Sequence, residues 1–308
     1  MPTLRGAGVM VVTDETTISP ICLPRAPGAC FGPFRRHLHC GVLLPAPDLG
    51  LLLAVTLVIQ APPPAAPTVR GTAALRAGLD TLYAGAFQAA ARHFAALGAG
   101  DTTDPAPVVF EAGAYIWWAS ALDSAAFERR RVDSLLALAI HRAHRLGPRA
   151  DFWLATAHGY RARERDLHGE TWGAAKDGKA MRNAYRRVLR VDSACVDCYL
   201  GLGVYHYGLA RASTLAKIIA RVVGLGGGDA DSAFAYLRRA SVAGDLAAVE
   251  ATWVLAAALE RDAARAGDAQ RRVALEAEAR AAVAGLAARY PGNPVFRRFL
   301  SERPEPPQ

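Results

Sequence analysis

Cys195 and Cys198 form a Cys-x-x-Cys pair where a predicted turn meets the start of a predicted helix. Residues three apart in a helical turn are close enough for a disulfide, and a thiol at a helix N-terminus has a lowered pKa. The pair is therefore consistent with a structural disulfide, with two reduced thiols that have no role, or with a redox or metal site. Tyr199 stands where a c-type haem attachment needs histidine, and a structural zinc would need two further ligands.

Residues 224–229 have the glycine content of a phosphate-binding loop. The Gly-Lys-Ser/Thr sequence that completes such a loop is missing, and Asp229 stands where a dinucleotide-binding motif needs its last glycine. A carboxylate there would repel a phosphate. The segment instead predicts a flexible loop, in which Asp229 caps a helix that begins near Ala230.

His141 and His144 lie three residues apart on a predicted helix and could share a metal ion. No glutamate or third histidine lies at a matching spacing, so we expect no metal and no cofactor. The chain also lacks the G-x-S-x-G and H-E-x-x-H motifs, which favours a protein that is not an enzyme. The alternative is a site assembled from scattered His, Glu and Arg side chains. A strongly perturbed His–Glu pair in a closed pocket would favour that alternative.

The composition favours a helical fold. Hydrophobic residues make up 52% of the chain, which argues against general disorder, and alanine and arginine are both strong helix formers. Runs rich in Val, Ile and Thr are nearly absent after residue 70, so an all-α fold is expected. The formal net charge of +8 comes from charges that alternate in sign along the helices. That pattern is typical of solvated helix faces, so we expect no nucleic-acid partner.

An apolar run, residues 49–59, separates an N-terminal extension from the rest of the chain. Residues 49–61 resemble a secretory signal peptide, because a short apolar core ends in small residues, and residues 62–70 are predicted to be a proline-rich linker. The run is shorter than the roughly 20 apolar residues that a transmembrane helix needs. Residues 1–48 are predicted to be non-globular, and a translation start at Val42 would give a signal of ordinary length.

The predicted signal implies an exported protein that lies in the periplasm or is associated with the cell envelope. If the run is not a signal, the protein is cytoplasmic. Membrane contact is expected only if segment 49–59 is retained, in which case it would anchor a helical module. An exported protein enters an oxidising compartment, where we expect Cys195 and Cys198 to be linked.

Residues 71–303 are predicted to form a series of amphipathic helices, and residues 304–308 a disordered tail. The clearest signal is a helical hairpin at residues 79–97, in which Gly85 permits a tight turn and Ala90 lets two helices approach closely. Asn293 is expected to cap the last helix. Further helices are predicted at about residues 107–121, 126–146, 150–166, 178–191, 195–211, 229–242, 245–264, 269–289 and 294–302, which leaves long loops at 167–177 and 211–228.

The stretch Tyr199-x-x-Leu202-Gly203 resembles the W-x-x-L-G segment of the tetratricopeptide repeat, and the hairpin at 79–97 has the spacing of the paired helices in that repeat. The resemblance is to degenerate members of the family from bacterial envelopes. It implies an α-solenoid, a right-handed superhelical array of antiparallel helix pairs. It also implies that Tyr199, Leu202 and His206 pack against the partner helix. A non-repeating helical bundle is the alternative.

In the proteins that this sequence resembles, a face of the first helix of each repeat lines a groove that binds a protein or peptide. Tyr207 is expected to contact such a partner. The alternative is that Tyr207 packs against the long segment 211–228. The predicted function is therefore that of an exported scaffold or adaptor. The residues assigned to the groove by the resemblance are Asp197, Leu200, Val204 and Tyr207.

The apolar core followed by Ala61 and the proline-rich linker predicts cleavage near Ala61. A reporter protein fused after residue 70 should therefore be found outside the cytoplasm, as measured by cell fractionation. Full-length, uncleaved protein in the cytosol would contradict the predicted export.

Overall fold

The computed structural model describes residues 73–303, and every regular element among them is helical. The predicted extension (1–48), signal-like segment (49–61), linker (62–70) and tail (304–308) lie outside the described residues. A short 3₁₀ turn, Gly147–Ala150, precedes the fifth α-helix. The α-helices are α1 (Ala73–Tyr83), α2 (Phe87–Gly100), α3 (Ala106–Ala121), α4 (Arg129–Leu146), α5 (Asp151–Leu167), α6 (Thr171–Val191), α7 (Cys198–Ala210), α8 (Thr214–Val222), α9 (Ala230–Ala243), α10 (Ala248–Ala263), α11 (Ala269–Arg289) and α12 (Pro294–Glu302).

The two long loops predicted at 167–177 and 211–228 are wrong in part, because each contains helix. Helix α6 begins at Thr171 and includes Asp177, whose buried carboxylate accepts a hydrogen bond from Arg161 of α5. This contact with α5 favours helix in a segment whose glycines have a low helix propensity. Within the second segment, Ser213 accepts a hydrogen bond from the N–H of Ala216 and so caps α8.

The predicted local signals at three helix ends are confirmed. Gly85 has a φ of +90°, which a residue with a side chain rarely adopts, and it joins α1 to α2. Asp229 accepts a hydrogen bond of 2.7 Å from the N–H of Ser232 and caps α9. Asn293 accepts one of 2.9 Å from the N–H of Val295 and caps α12.

Most helices that follow one another in the chain pack together, as expected for an all-α fold, whereas α8 packs on α6 and α7 packs on α9. The packing of α7 is also as predicted, since the rings of Tyr199 and His206 lie 5.1 Å and 5.6 Å from that of Tyr236 on α9. A Cβ atom on Gly203 would come within 2.8 Å of Leu237, so glycine is what allows α7 and α9 to approach. The right-handed superhelical order of the pairs stays a prediction.

The turn before α12 packs against the end of α1. The Asn293 side-chain amide donates a hydrogen bond of 2.9 Å to the carbonyl oxygen of Tyr83, and the Tyr290 hydroxyl donates one of 2.9 Å to Asp80. The Tyr83 and Tyr290 ring centroids are 5.8 Å apart. The first and last helices of the described chain are therefore held together.

An aromatic cluster supports this contact from inside. Phe296 of α12 is fully buried, and its ring lies 5.8 Å from that of Trp117 on α3 and 5.7 Å from that of Trp253 on α10. Helix α12 thereby fills space between two helices that are distant in sequence. Among the described residues, no helix is both long enough and apolar enough to cross a membrane.

Replacing Phe296 with alanine should remove this central ring and leave a cavity. We expect the free energy of unfolding to fall by about 3–5 kcal/mol, measured by chemical denaturation. Val242→Ala is the matched control, because Val242 is 87% exposed, and its effect should stay within about 0.5 kcal/mol. Equal stabilities of the two variants would show that α12 does not pack as described.

Candidate functional site

The four residues predicted to line a groove have different surroundings in the structure. Leu200 and Val204 are partly exposed on α7, one helical turn apart. Tyr207 lies on the same stripe of α7 but is 1% exposed. Asp197, just before α7, is buried. Leu200 and Val204 thus keep accessible surface, and the binding role of the four residues stays a prediction.

Tyr207 is covered by α9 and α10. Its hydroxyl lies 3.0 Å from both the carbonyl oxygen of Ala258 and the carboxylate of Asp262, and its ring meets Phe234 edge-on at 5.9 Å. Burial, together with the charge of Asp262, raises the pKa of the hydroxyl. The tyrosine therefore joins α7 to α10 through a buried hydrogen bond.

Asp197 orders the connection that leads into α10. Its carboxylate accepts hydrogen bonds from the backbone N–H groups of Asp245, Leu246 and Ala247, at 2.7, 3.0 and 3.2 Å. Burial raises the pKa of this carboxyl, and the three hydrogen bonds oppose the rise because they favour the charged form. Asp197 thus stabilises a turn that lies 48–50 residues further along the chain.

Arg261 lies on α10 beside the Tyr207 site. It is partly buried, and no carboxylate within residues 73–303 lies within 4.0 Å of its guanidinium. Burial lowers its pKa, although Tyr207 and the nearby acids act in the opposite direction. The neighbouring Asp262 is instead held by Arg211, whose Nε donates a hydrogen bond of 2.9 Å. Arg261 therefore keeps hydrogen-bond donors for another acceptor.

We use the name α7–α10 face for Leu200 and Val204 of α7 taken together with Arg261 of α10. The two helices are in contact, and the Tyr207 hydroxyl at the end of the α7 stripe bonds to the residue after Arg261. The face offers two aliphatic side chains and one guanidinium that has no ion pair within residues 73–303. Such a surface can bind an aliphatic group and a carboxylate or other anion side by side.

A polar contact also joins α5 to α10. The Tyr160 hydroxyl donates a hydrogen bond of 2.6 Å to Glu250, and burial raises the pKa of that carboxyl while the tyrosine and Arg163 oppose the rise. Arg163 itself bonds to Glu164. No sequence motif indicated this pair, because its members are 90 residues apart.

His158 and Asp177 form the histidine–carboxylate contact nearest to a catalytic arrangement. The His158 Nδ1 lies 2.7 Å from Asp177, which also accepts hydrogen bonds from Arg161 and from Arg165. Burial acts to raise the pKa of Asp177, but the bonds from His158 and Arg161 outweigh it and lower that pKa. With both carboxylate oxygens committed, the cluster fastens α5 to α6.

The structure joins Cys195 and Cys198 by a disulfide, with their Cα atoms 5.6 Å apart. Both side chains are buried at the start of α7. The loop that the bond closes is very short, so it adds little stability through chain entropy. Disulfide formation in the cell stays a prediction, because it depends on the predicted export.

The described residues form neither a metal-binding cluster nor a pocket with free arginines at the start of α4, apart from Arg130. Between residues 73 and 303, no three His, Cys, Asp or Glu side chains come close enough together to hold a metal ion. A shallow depression of about 430 Å³ at the start of α4 is lined by Ala126, Glu128 and the three arginines at 129–131. Two of those arginines are already paired, Arg129 with Glu170 and Arg131 with Glu111.

Comparison with known proteins gives no match: no family model fits the chain, and no curated protein or solved structure is significantly similar to it. The resemblance to tetratricopeptide repeats therefore stays a prediction that rests on the motif around Leu202 and the hairpin at 79–97.

The surroundings of Tyr207 lead to a test of its role. Tyr207→Ala should lower the free energy of unfolding by about 3–5 kcal/mol because it empties a buried site. Tyr207→Phe keeps the ring and should cost about 1 kcal/mol, the worth of the lost hydrogen bond. Leu202→Ala, a buried truncation on the opposite face, should cost about 2–5 kcal/mol. Thermal or chemical unfolding measures all three. Unchanged stability of the Tyr207→Ala protein would contradict the buried role of Tyr207 and favour the predicted contact with a partner.

Proposed function

We propose that this protein is an exported scaffold or adaptor, and that it binds an extended segment of a protein partner on the α7–α10 face of a tetratricopeptide-like superhelical array. The observation that carries the proposal is Arg261 of α10, a partly buried guanidinium that has no carboxylate within 4.0 Å among residues 73–303. Helix α10 contacts α7, on which Leu200 and Val204 keep partly exposed aliphatic side chains. A partly desolvated charge is costly when unpaired, and a ligand carboxylate would remove that cost.

This chemistry indicates what the partner segment contains. A carboxylate, from Asp, Glu or a chain terminus, would accept paired hydrogen bonds from the planar guanidinium of Arg261. An aliphatic side chain next to it would cover Leu200 and Val204, whose contact supplies apolar burial. Asp262 does not compete for Arg261, because Arg211 and Tyr207 already hold it.

A random-peptide display selection tests the proposal directly. The wild-type protein should enrich peptides in which an acidic residue lies next to an aliphatic one. Arg261→Gln should weaken binding of the enriched peptides by about tenfold or more, since a hydrogen bond to a charged group is worth roughly 1.5–3 kcal/mol. Val204→Arg should also abolish binding, because it places a second long side chain on the apolar part of the face.

The matched control is Arg272→Gln, which removes one exposed guanidinium from α11 and should leave peptide affinity unchanged. Thermal unfolding of each variant shows whether it is folded. Failure to enrich any peptide, or equal affinities of Arg261→Gln and Arg272→Gln, would refute binding at the α7–α10 face.

A further inference from the structure

Helix α8 has its apolar residues arranged in an unusual way. The side chains that face the body of the protein are small alanines, whereas the large aliphatic side chains point into solvent. The buried residues are Ala216 and Ala220. The exposed ones are Leu215, Ile218 and Val222, whose exposed fractions are 59%, 51% and 70%.

A helix that packs only for stability places its large apolar side chains inward. In α8 the spacing of the three exposed residues puts them on one side of the helix, where they form a continuous apolar strip. No described residue buries this strip. A contiguous exposed apolar surface of this kind marks an interaction site.

Basic side chains border the strip. Lys217 and Arg221 are exposed on α8 itself, and neither has a carboxylate within 4.0 Å among residues 73–303. Residues 198–228, which include all of α7 and α8, contain no Asp or Glu. Helix α8 therefore carries two cations and has no acid in its own segment to neutralise them, the next acid along the chain being Asp229.

Helix α6, on which α8 packs, continues the pattern. The ammonium of Lys179 lies beside Gly224, just after the end of α8. One and two turns back along the same side of α6 are Lys176 and Trp172, and Lys176 lies 5.3 Å from the ring of Trp172, which is exposed. All three lysines of the chain thus lie on α6 and α8.

We propose that α8 is a membrane-surface element that binds bilayers containing anionic lipid. In this arrangement α8 lies in the plane of the interface, with Leu215, Ile218 and Val222 inserted at the boundary between headgroups and acyl chains. Lys217 and Arg221 contact lipid phosphates, and their alkyl stems lie along the apolar surface. This contact is separate from any anchoring by segment 49–59 and does not depend on the α7–α10 face.

The charges decide between a lipid surface and the other occupants of an apolar strip. A second copy of the chain that packed α8 against α8 in an antiparallel two-fold arrangement would bring Lys217 and Arg221 of one protomer to the same side as those cations of the other. A bilayer with anionic headgroups has the opposite sign over its whole surface. An exposed tryptophan beside lysines is also typical of residues at a membrane interface.

Co-sedimentation of the full chain with vesicles tests the proposal. Wild-type protein should partition onto mixed phosphatidylcholine–phosphatidylglycerol vesicles more strongly than onto phosphatidylcholine alone, and high salt should reduce the difference. Changing Leu215, Ile218 and Val222 together to serine should lower the partition coefficient by about tenfold or more. The matched control changes three equally exposed valines to serine and should have little effect. These are Val191, Val242 and Val273.

A second pair of variants tests the charges. Lys217→Gln with Arg221→Gln should remove most of the preference for anionic vesicles, whereas Arg271→Gln with Arg272→Gln on α11 should not. Because segment 49–59 is the same in every variant, binding through that segment alone would leave all variants equal and would overturn the proposal. It would also be overturned if the wild-type protein formed a dimer that the α8 serine variant abolishes, without any binding to vesicles.

Discussion

Buried carboxylates need hydrogen-bond donors, and in this protein most of those donors belong to another element, so that the pairs help to set how the helices fit together. Alanine-rich helix surfaces are smooth and tolerate several registers, whereas an unpaired buried charge costs several kcal/mol. Five carboxylates are paired with a donor from another segment of the chain. The pairs are Asp151 with Arg187, Asp177 with Arg161, Asp197 with the backbone at 245–247, Glu250 with Tyr160, and Asp262 with Arg211.

The same requirement shapes the surface that is left. Acids number 28 against 36 bases in the whole chain, and several acids are used inside. Some cations therefore remain without an ion pair among residues 73–303, including Arg261 and the two cations of α8. Both proposed interactions depend on this surplus of cations. Arg261 would bind a carboxylate of the partner, and Lys217 and Arg221 border the apolar strip of α8. The interior pairing and the exterior binding chemistry have a common origin in the charge balance.

Sequence patterns predicted the parts of this structure that depend on neighbouring residues. The turn at Gly85 and the caps at Asp229 and Asn293 are local, and each was visible as a residue type beside an apolar period. Contacts such as Tyr160 with Glu250 join residues 90 positions apart, and no single-sequence pattern encodes them. Helix α8 was missed for another reason. Leu215, Ile218 and Val222 have helical spacing, but the helix is only nine residues long, and so short a pattern did not separate it from the loop predicted for that segment.

The contact between the turn before α12 and the end of α1 joins residues that are 210 positions apart in sequence. During synthesis α1 emerges before α12, so Tyr83 can bond to Asn293 only after most of the helical body has been made. The ring contacts of Trp117 and Trp253 with Phe296 likewise form only after Phe296 has been made. Long-range contacts of this kind form late, and exposed aromatic surface in the meantime favours aggregation. In a nascent chain of this protein, the rings of Trp117 and Trp253 therefore lack the covering side chain of Phe296 until the nine-residue helix α12 has been made.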